Sequence, residues 1–239
     1  VTPGNNMRLS EEKIESNRNL VNKIWNISRY VLTFTAGDTT QQTDYSLADQ
    51  WIISKLNRLI TDVSSAIEQY EFSRAAEILR VFTIDDFADW YIEVSKVEGG
   101  KRTLLLSILE VLLVLWHPLI PFVTEEIYHL AHSSFPEGEN SRPSLLMVRA
   151  WPLANPNAIS EQTETDFAVI QQIIQTLRNS RAENHIPAGE QIDIIIYTPH
   201  RGAFITPHTN TIARLTNANN ITIQETGERP ASALFVQVE

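Results

Sequence analysis

LLLSILEVLLVLW, residues 104–116, decides how this chain folds. Only Ser107 and Glu110 interrupt its apolar side chains, so a helix built from it is hydrophobic on nearly every side. Such a helix has to be surrounded by other elements, which places it at the centre of a bundle. The competing reading of a long apolar run is a membrane span. The run extends to Val123, but Glu110, His117, Pro118 and Pro121 break it, which fits a buried core helix followed by a turn. His117-Pro118 ends this helix, and Pro121 opens another from about Phe122 to Ala131.

Working outward, three helices precede it. Ser10 followed by Glu11, Glu12 and Lys13 reads as an N-cap with an acidic first turn. Ile14, Val21, Ile24, Ile27, Val31 and Leu32 then recur mostly at three- and four-residue spacing. Residues 36–45 (AGDTTQQTDY) are a polar loop. A second helix runs from about Leu47 to Tyr70, and a third from about Glu71 to Val97, stopped by Gly99 and Gly100. After residues 133–144 (SSFPEGENSRPS), a linker by composition, the texture changes. Residues 160–183 form an amphipathic helix. Ile192–Tyr197, Ile221–Gln224 and Leu234–Val238 read as strands, with a short helix at Thr206–Leu215. The expectation is a mainly α protein: a helical bundle over residues 1–150, then a small α+β appendage over 151–239.

The totals agree with an ordinary globular chain of 239 residues, 43% of them apolar. Nothing at its start reads as a signal peptide. The absence of cysteine excludes disulfides and thiolate metal sites and favours a cytoplasmic home. A net charge of −10 argues against a generic nucleic-acid surface. The charge is uneven, however: residues 1–35 carry a net +2 and residues 36–100 a net −7.

Catalytic motifs are scarce. There is no glycine-rich phosphate loop, no HExxH and no GxSxG. Glu126-x-x-His129, with Glu125 and His132 beside it, has the spacing used by di-iron bundles, but such sites need two copies of the motif. One copy reads as a helix with early acidic residues and solvated histidines, so no metal site is assigned. His185, His200 and His208 lack ligand spacing. Trp51, Trp90 and Trp116 sit at helical spacing inside apolar patterns and are assigned to the core.

The first helix stands apart. At about 100° per residue, Arg18, Asn22, Asn26 and Arg29 of RNLVNKIWNISRY (18–30) fall in one narrow sector. Asn19, Lys23 and Tyr30 extend it to one side, opposite the apolar arc, and Trp25 lies at the border. Amides suit base edges, guanidiniums grip phosphates, and Tyr30 offers a π-face. A plain solvated face would look the same, and the residues alone leave both readings open.

Resemblance separates them. RNLVNKIWNISRYVL (18–32) resembles the first helix of the anticodon-binding domain of valyl-tRNA synthetases. TPGNNMRLSEEKIE (2–15), LADQWIISKLNRLI (47–60), YEFSRAAEILRVFTIDDFADWYIEVSK (70–96), HPLIPFVTEEIYHL (117–130) and RNSRAENHIPAG (178–189) are similar to successive stretches of the same family. The HPLIPFVTEEIYHL type is shared with the isoleucine and leucine enzymes; NKIWNISRYVL and RNSRAENHIPAG favour valine. Gln50 departs from the family, which usually has arginine before this tryptophan.

The resemblance implies the anticodon-binding part of a class I ligase that charges tRNA with valine through an adenylate, using ATP and magnesium. The HIGH- and KMSKS-type signatures, the editing domain and the coiled coil of that family are not in this sequence. No catalytic residue, metal or cofactor is therefore expected in this chain. The expected partners are a valine-accepting tRNA and the catalytic domain of the same parent, with no membrane and a monomeric state. Arg18 and Lys23 are expected to neutralise phosphates, and Arg29 to meet a phosphate or a base edge. Asn22 and Asn26 would hydrogen-bond base edges or sugars, and Tyr30 would stack. Arg178 and Arg181 are secondary candidates for RNA or interdomain contacts. The alternatives are an isoleucyl or leucyl anticodon domain, or a non-enzymatic helical scaffold for protein partners.

Overall fold

A computed structural model describes residues 10–34, 44–131, 144–187, 189–227 and 233–238. Residues 1–9, most of the 36–45 and 133–144 segments, and His132 lie outside the described residues. The chain is mainly α and divides into two compact units. The first comprises residues 1–92 and 100–160, the second 93–99 and 161–239. No helix among the described residues is long and apolar enough to cross a membrane.

The first unit is built around α5 (Arg102–Trp116). From Leu105 to Trp116 every residue but Ser107 and Val111 is buried, Glu110 included. Against it pack α1 (Glu11–Phe34), α2 (Leu47–Glu68), α3 (Phe72–Val81) and α6 (Pro121–Ala131). Ser46 caps α2 through a capping box with Asp49, and Ser10 accepts the N–H of Lys13 at the start of α1 at 3.4 Å. Trp51 and Trp116 are core residues as expected, whereas Trp90 is only half-buried. The Trp116 indole donates to Thr83 Oγ1 at 3.0 Å.

The third helix is not uniform. Beyond α3 the chain widens into π-helix over Phe82–Ile92 and returns to α-helix as α4 (Glu93–Glu98). Phe82, Phe87 and Ile92, five residues apart, are all buried, a spacing that suits i→i+5 hydrogen bonding. Gly99 and Gly100, at φ +67° and +65°, end the helix in a conformation that costs other residues energy.

Residues 151–160 were expected to open the second domain. Here they form a strap hydrogen-bonded to α2. Ser64 Oγ accepts the Trp151 indole N–H at 2.8 Å, Asn57 Oδ1 the Asn155 N–H at 2.7 Å, and Ser54 Oγ the Ser160 N–H at 2.9 Å. Asn57 and Ser54 thus satisfy backbone N–H groups on either side of the short 3-10 turn Pro156–Ala158, while Ser64 takes up the indole of Trp151.

In the second unit, α7 (Glu161–Glu183) and α4 pack on α9 (Thr209–Thr216). Strands β1 (Ile192–Tyr197) and β2 (Ala218–Gln224) pair in parallel, with Ile194 opposite Ile221. A short α8 (Gly202–Ile205) and α9 form the crossover a parallel pair requires. The strand expected at Leu234–Val238 is not formed. That stretch has the composition of a strand, but Leu234 and Phe235 stay exposed and it joins no ladder. A strand exists only where a partner edge takes up its backbone groups.

Candidate functional site

The apolar arc of α1 is buried only from Ile24 onward, through Ile27, Ser28 and Val31. The turns before it, residues 11–19, are exposed on all sides, Ile14 included. The face of interest therefore has two parts. Asn22, Asn26 and Arg29 are exposed over the stretch of helix seated on the bundle, where packing fixes the backbone that carries them. Arg18 continues the row on the projecting turns and reaches Glu15 at 3.4 Å.

Among the described residues, Asn22, Asn26 and Arg29 make no side-chain hydrogen bond or ion pair. Two amides and one guanidinium are thus left to solvent or to a ligand, a combination of donors and acceptors at helical spacing. Lys23 differs: its ammonium lies 3.7 Å from Asp89 on the π-helical segment, with both groups well exposed. A pair of that kind is worth little and exchanges readily for a phosphate.

Tyr30 is half-buried and its ring stacks on Phe34, with centroids 5.1 Å apart and planes at 17°. One face of Tyr30 is therefore occupied, and Phe34, which is itself exposed, completes an aromatic ledge at the end of α1. Phe34 was missed in the sequence, although its i,i+4 spacing from Tyr30 was there to read. Beside Arg29, a shallow groove of ≈ 210 Å³ is lined by Trp25, Leu32 and Thr33 of α1 and by Ile127 and Leu130 of α6.

Arg178 and Arg181 belong to the second unit. Arg178 Nε donates to the Leu215 carbonyl at 3.0 Å. Arg181 is buried and donates to the carbonyls of Pro187 and Glu190 at 2.8 and 2.6 Å, closing the turn after α7. These bonds give both side chains a local structural task. The Glu125 carboxylate accepts the N–H groups of Leu146 and Met147 at 2.7 and 3.2 Å. That is an anchoring role, and Glu126 and His129 beside it are exposed.

A family model described as the anticodon-binding domain of tRNA ligase matches residues 49–196. The chain is 32% identical to a valine–tRNA ligase of Dehalococcoides mccartyi (strain CBDB1), over 93% of this chain and 26% of that protein. It is 35% identical to a valine–tRNA ligase of Bacillus cereus (strain ATCC 10987 / NRS 248), over 97% of this chain and 27% of that one. A valine–tRNA ligase of Halalkalibacterium halodurans shares 38% identity over 82% of this chain and 23% of its own length. The chain thus spans about a quarter of the length of the curated relatives it matches.

Proposed function

Since the chain belongs to the family of anticodon-binding domains of tRNA ligases, we propose that it holds the anticodon stem and loop of a valine-accepting tRNA along α1, as the non-catalytic part of a valine–tRNA ligase. The observation that carries this reading is the row Asn22, Asn26 and Arg29, exposed and, among the described residues, uncommitted on a helix whose opposite side is locked into the bundle.

The chemistry divides along the row. Arg29 supplies a planar fork of donors suited to a phosphate or to the acceptor edge of a base. Asn22 and Asn26 each pair a donor with an acceptor, which suits base edges and ribose hydroxyls. Arg18 and Lys23 add charge for the phosphates, and both can leave their exposed carboxylate partners to do so. Tyr30 and Phe34 together offer an aromatic surface to an unstacked base. The acidic remainder of the protein repels phosphates and confines binding to this face.

The remainder of the longer ligase would activate valine with ATP and magnesium, and this unit would fix the far end of the tRNA so that its acceptor end reaches that site. The protein would work in the cytoplasm as a monomer. The test is a binding titration against valine, isoleucine and leucine anticodon hairpins at two salt concentrations. The expected result is preference for the valine hairpin and a steep fall in affinity with salt, as phosphate contacts release counterions. Preference for another hairpin moves the assignment to that ligase. A flat salt response with no preference rejects RNA binding altogether.

A further inference from the structure

The π-helical segment Phe82–Ile92 carries two carboxylates to two different helices. Asp86 pairs with Lys55 of α2 at 3.2 Å, with both side chains mostly shielded. Asp89, three residues on, turns instead to α1, where its Oδ1 lies 3.7 Å from the Lys23 ammonium. That separation is too long for a hydrogen bond, and the Asp89 side chain is 60% exposed. Among the described residues Lys23 is its one partner, so its lone pairs are open to a ligand. The backbone that carries it is fixed: Phe87 and Tyr91 are completely buried, and the Tyr91 hydroxyl donates to Asp49 at 2.6 Å. A rigidly held, acceptor-only group thus stands beside Lys23, which adjoins Asn22 and precedes Asn26 by three residues on α1. On a face that binds RNA such a group is costly, because it repels the phosphates that Lys23 and Arg29 attract. A base amine offered to it offsets that cost.

We propose that Asp89 is a specificity-determining residue of the α1 face, accepting the exocyclic amine of an anticodon cytosine and disfavouring a uracil in the same place; the proposal rests on the functional reading above. Lys23 leaves its long, exposed pair for a phosphate, and the carboxylate is released to the base. Along its pairing edge cytosine presents a donor amine and then two acceptors, N3 and O2. The carboxylate takes the amine, while donors from Asn22, Asn26 or Arg29 take an acceptor. Uracil presents O4 where cytosine has its amine, so two acceptors meet with no proton between them. By the genetic code valine anticodons end in A-C and isoleucine anticodons in A-U. This one contrast therefore separates the two.

The test uses the full-length ligase that contains this sequence and two valine tRNA transcripts that differ only in C or U at the third anticodon position. Dissociation constants are measured for the parent enzyme, Asp89→Asn, Asp89→Ala and Lys23→Ala, with melting temperatures as a check on folding. The parent is expected to prefer the C transcript by about ten-fold or more, and both Asp89 variants to reduce that preference to about two-fold or less. The ratio of the two constants is the readout, because loss of a negative charge raises affinity for both transcripts alike. Lys23→Ala should weaken both by the same factor and leave the ratio unchanged. An unchanged ratio in the Asp89 variants overturns the proposal and leaves the anticodon reading standing, with Asp89 acting only as a charge that repels phosphate. A parent enzyme that binds both transcripts equally well also overturns it. A parent enzyme that binds neither overturns the functional reading itself.

Discussion

The ammonium of Lys101 meets the carboxylate of Asp49 in the interior of the first unit, with both side chains almost completely shielded from water. The same carboxylate accepts the Tyr91 hydroxyl at 2.6 Å and the Ser46 N–H at 2.8 Å. One buried group therefore ties together the cap of α2, the π-helical segment and the residue that starts α5. Removing one member of such a pair strands a charge, at a cost of about 3–5 kcal/mol, whereas replacing both with apolar groups can be near neutral. Lys101→Met is expected to lower the stability measured by urea unfolding by that amount. Adding Asp49→Leu recovers part of the loss in a double-mutant cycle, less the cost of the lost cap.

The strap along α2 gives a second prediction. Asn57→Leu removes the acceptor for the Asn155 N–H and leaves that group unsatisfied, a cost of about 1–3 kcal/mol. Hydrogen exchange at Asn155 should accelerate in this variant, while the amides of α5 change only as far as global stability falls. An unchanged rate at Asn155 would show that the contact does not hold the strap.

On α1 the two arginines should behave differently. Arg29→Ala removes an uncommitted guanidinium on the packed part of the helix and is expected to weaken binding to a valine anticodon hairpin by about 1–3 kcal/mol. Arg18→Ala acts on the projecting turns, where Glu15 already competes for the side chain, and should cost less. Helical circular dichroism should be the same in both. Equal affinity for Arg29→Ala and the parent chain would remove Arg29 from the interface.

His208 carries a pH prediction for the second unit. Burial pushes its imidazole below its ordinary value, and the nearby charge of Glu98 offsets this only in part. The unfolded chain therefore takes up the proton first. The stability associated with the neutral ring is fully present above the ordinary histidine pKa of about 6.5 and is lost as pH falls below it towards the lowered folded value. The melting temperature of the chain should drop on acidification through this range, and His208→Gln should make the drop shallower. An identical pH profile in the variant would discount His208.

Much of this was legible in the residues. LLLSILEVLLVLW reads as a central helix because no orientation of it leaves a polar face, and the bounds of α1, α2, α6 and α7 follow from caps, prolines and periodicity. The polar row of α1 is equally a matter of angle. What stayed hidden depends on partners distant in sequence. The Leu234–Val238 segment looks like a strand until its neighbours are known. Arg181 looks like a surface cation until the turn it closes comes into view. The bonds from Ser54, Asn57 and Ser64 to the strap span roughly a hundred residues, and no local pattern announces them.

By itself the sequence determined the helices, the central place of α5 and the side of α1 that faces water, because these follow from the period of a helix and the cost of exposing apolar surface. Only the tertiary structure decided which polar groups remain available. It engaged Lys23 with Asp89 and Arg18 with Glu15, turned Arg178 and Arg181 to backbone carbonyls, and stacked Phe34 on Tyr30. Among the described residues, Asn22, Asn26 and Arg29 were left uncommitted. Periodicity sets the direction in which a side chain points, but its freedom to bind depends on what the rest of the chain brings alongside it.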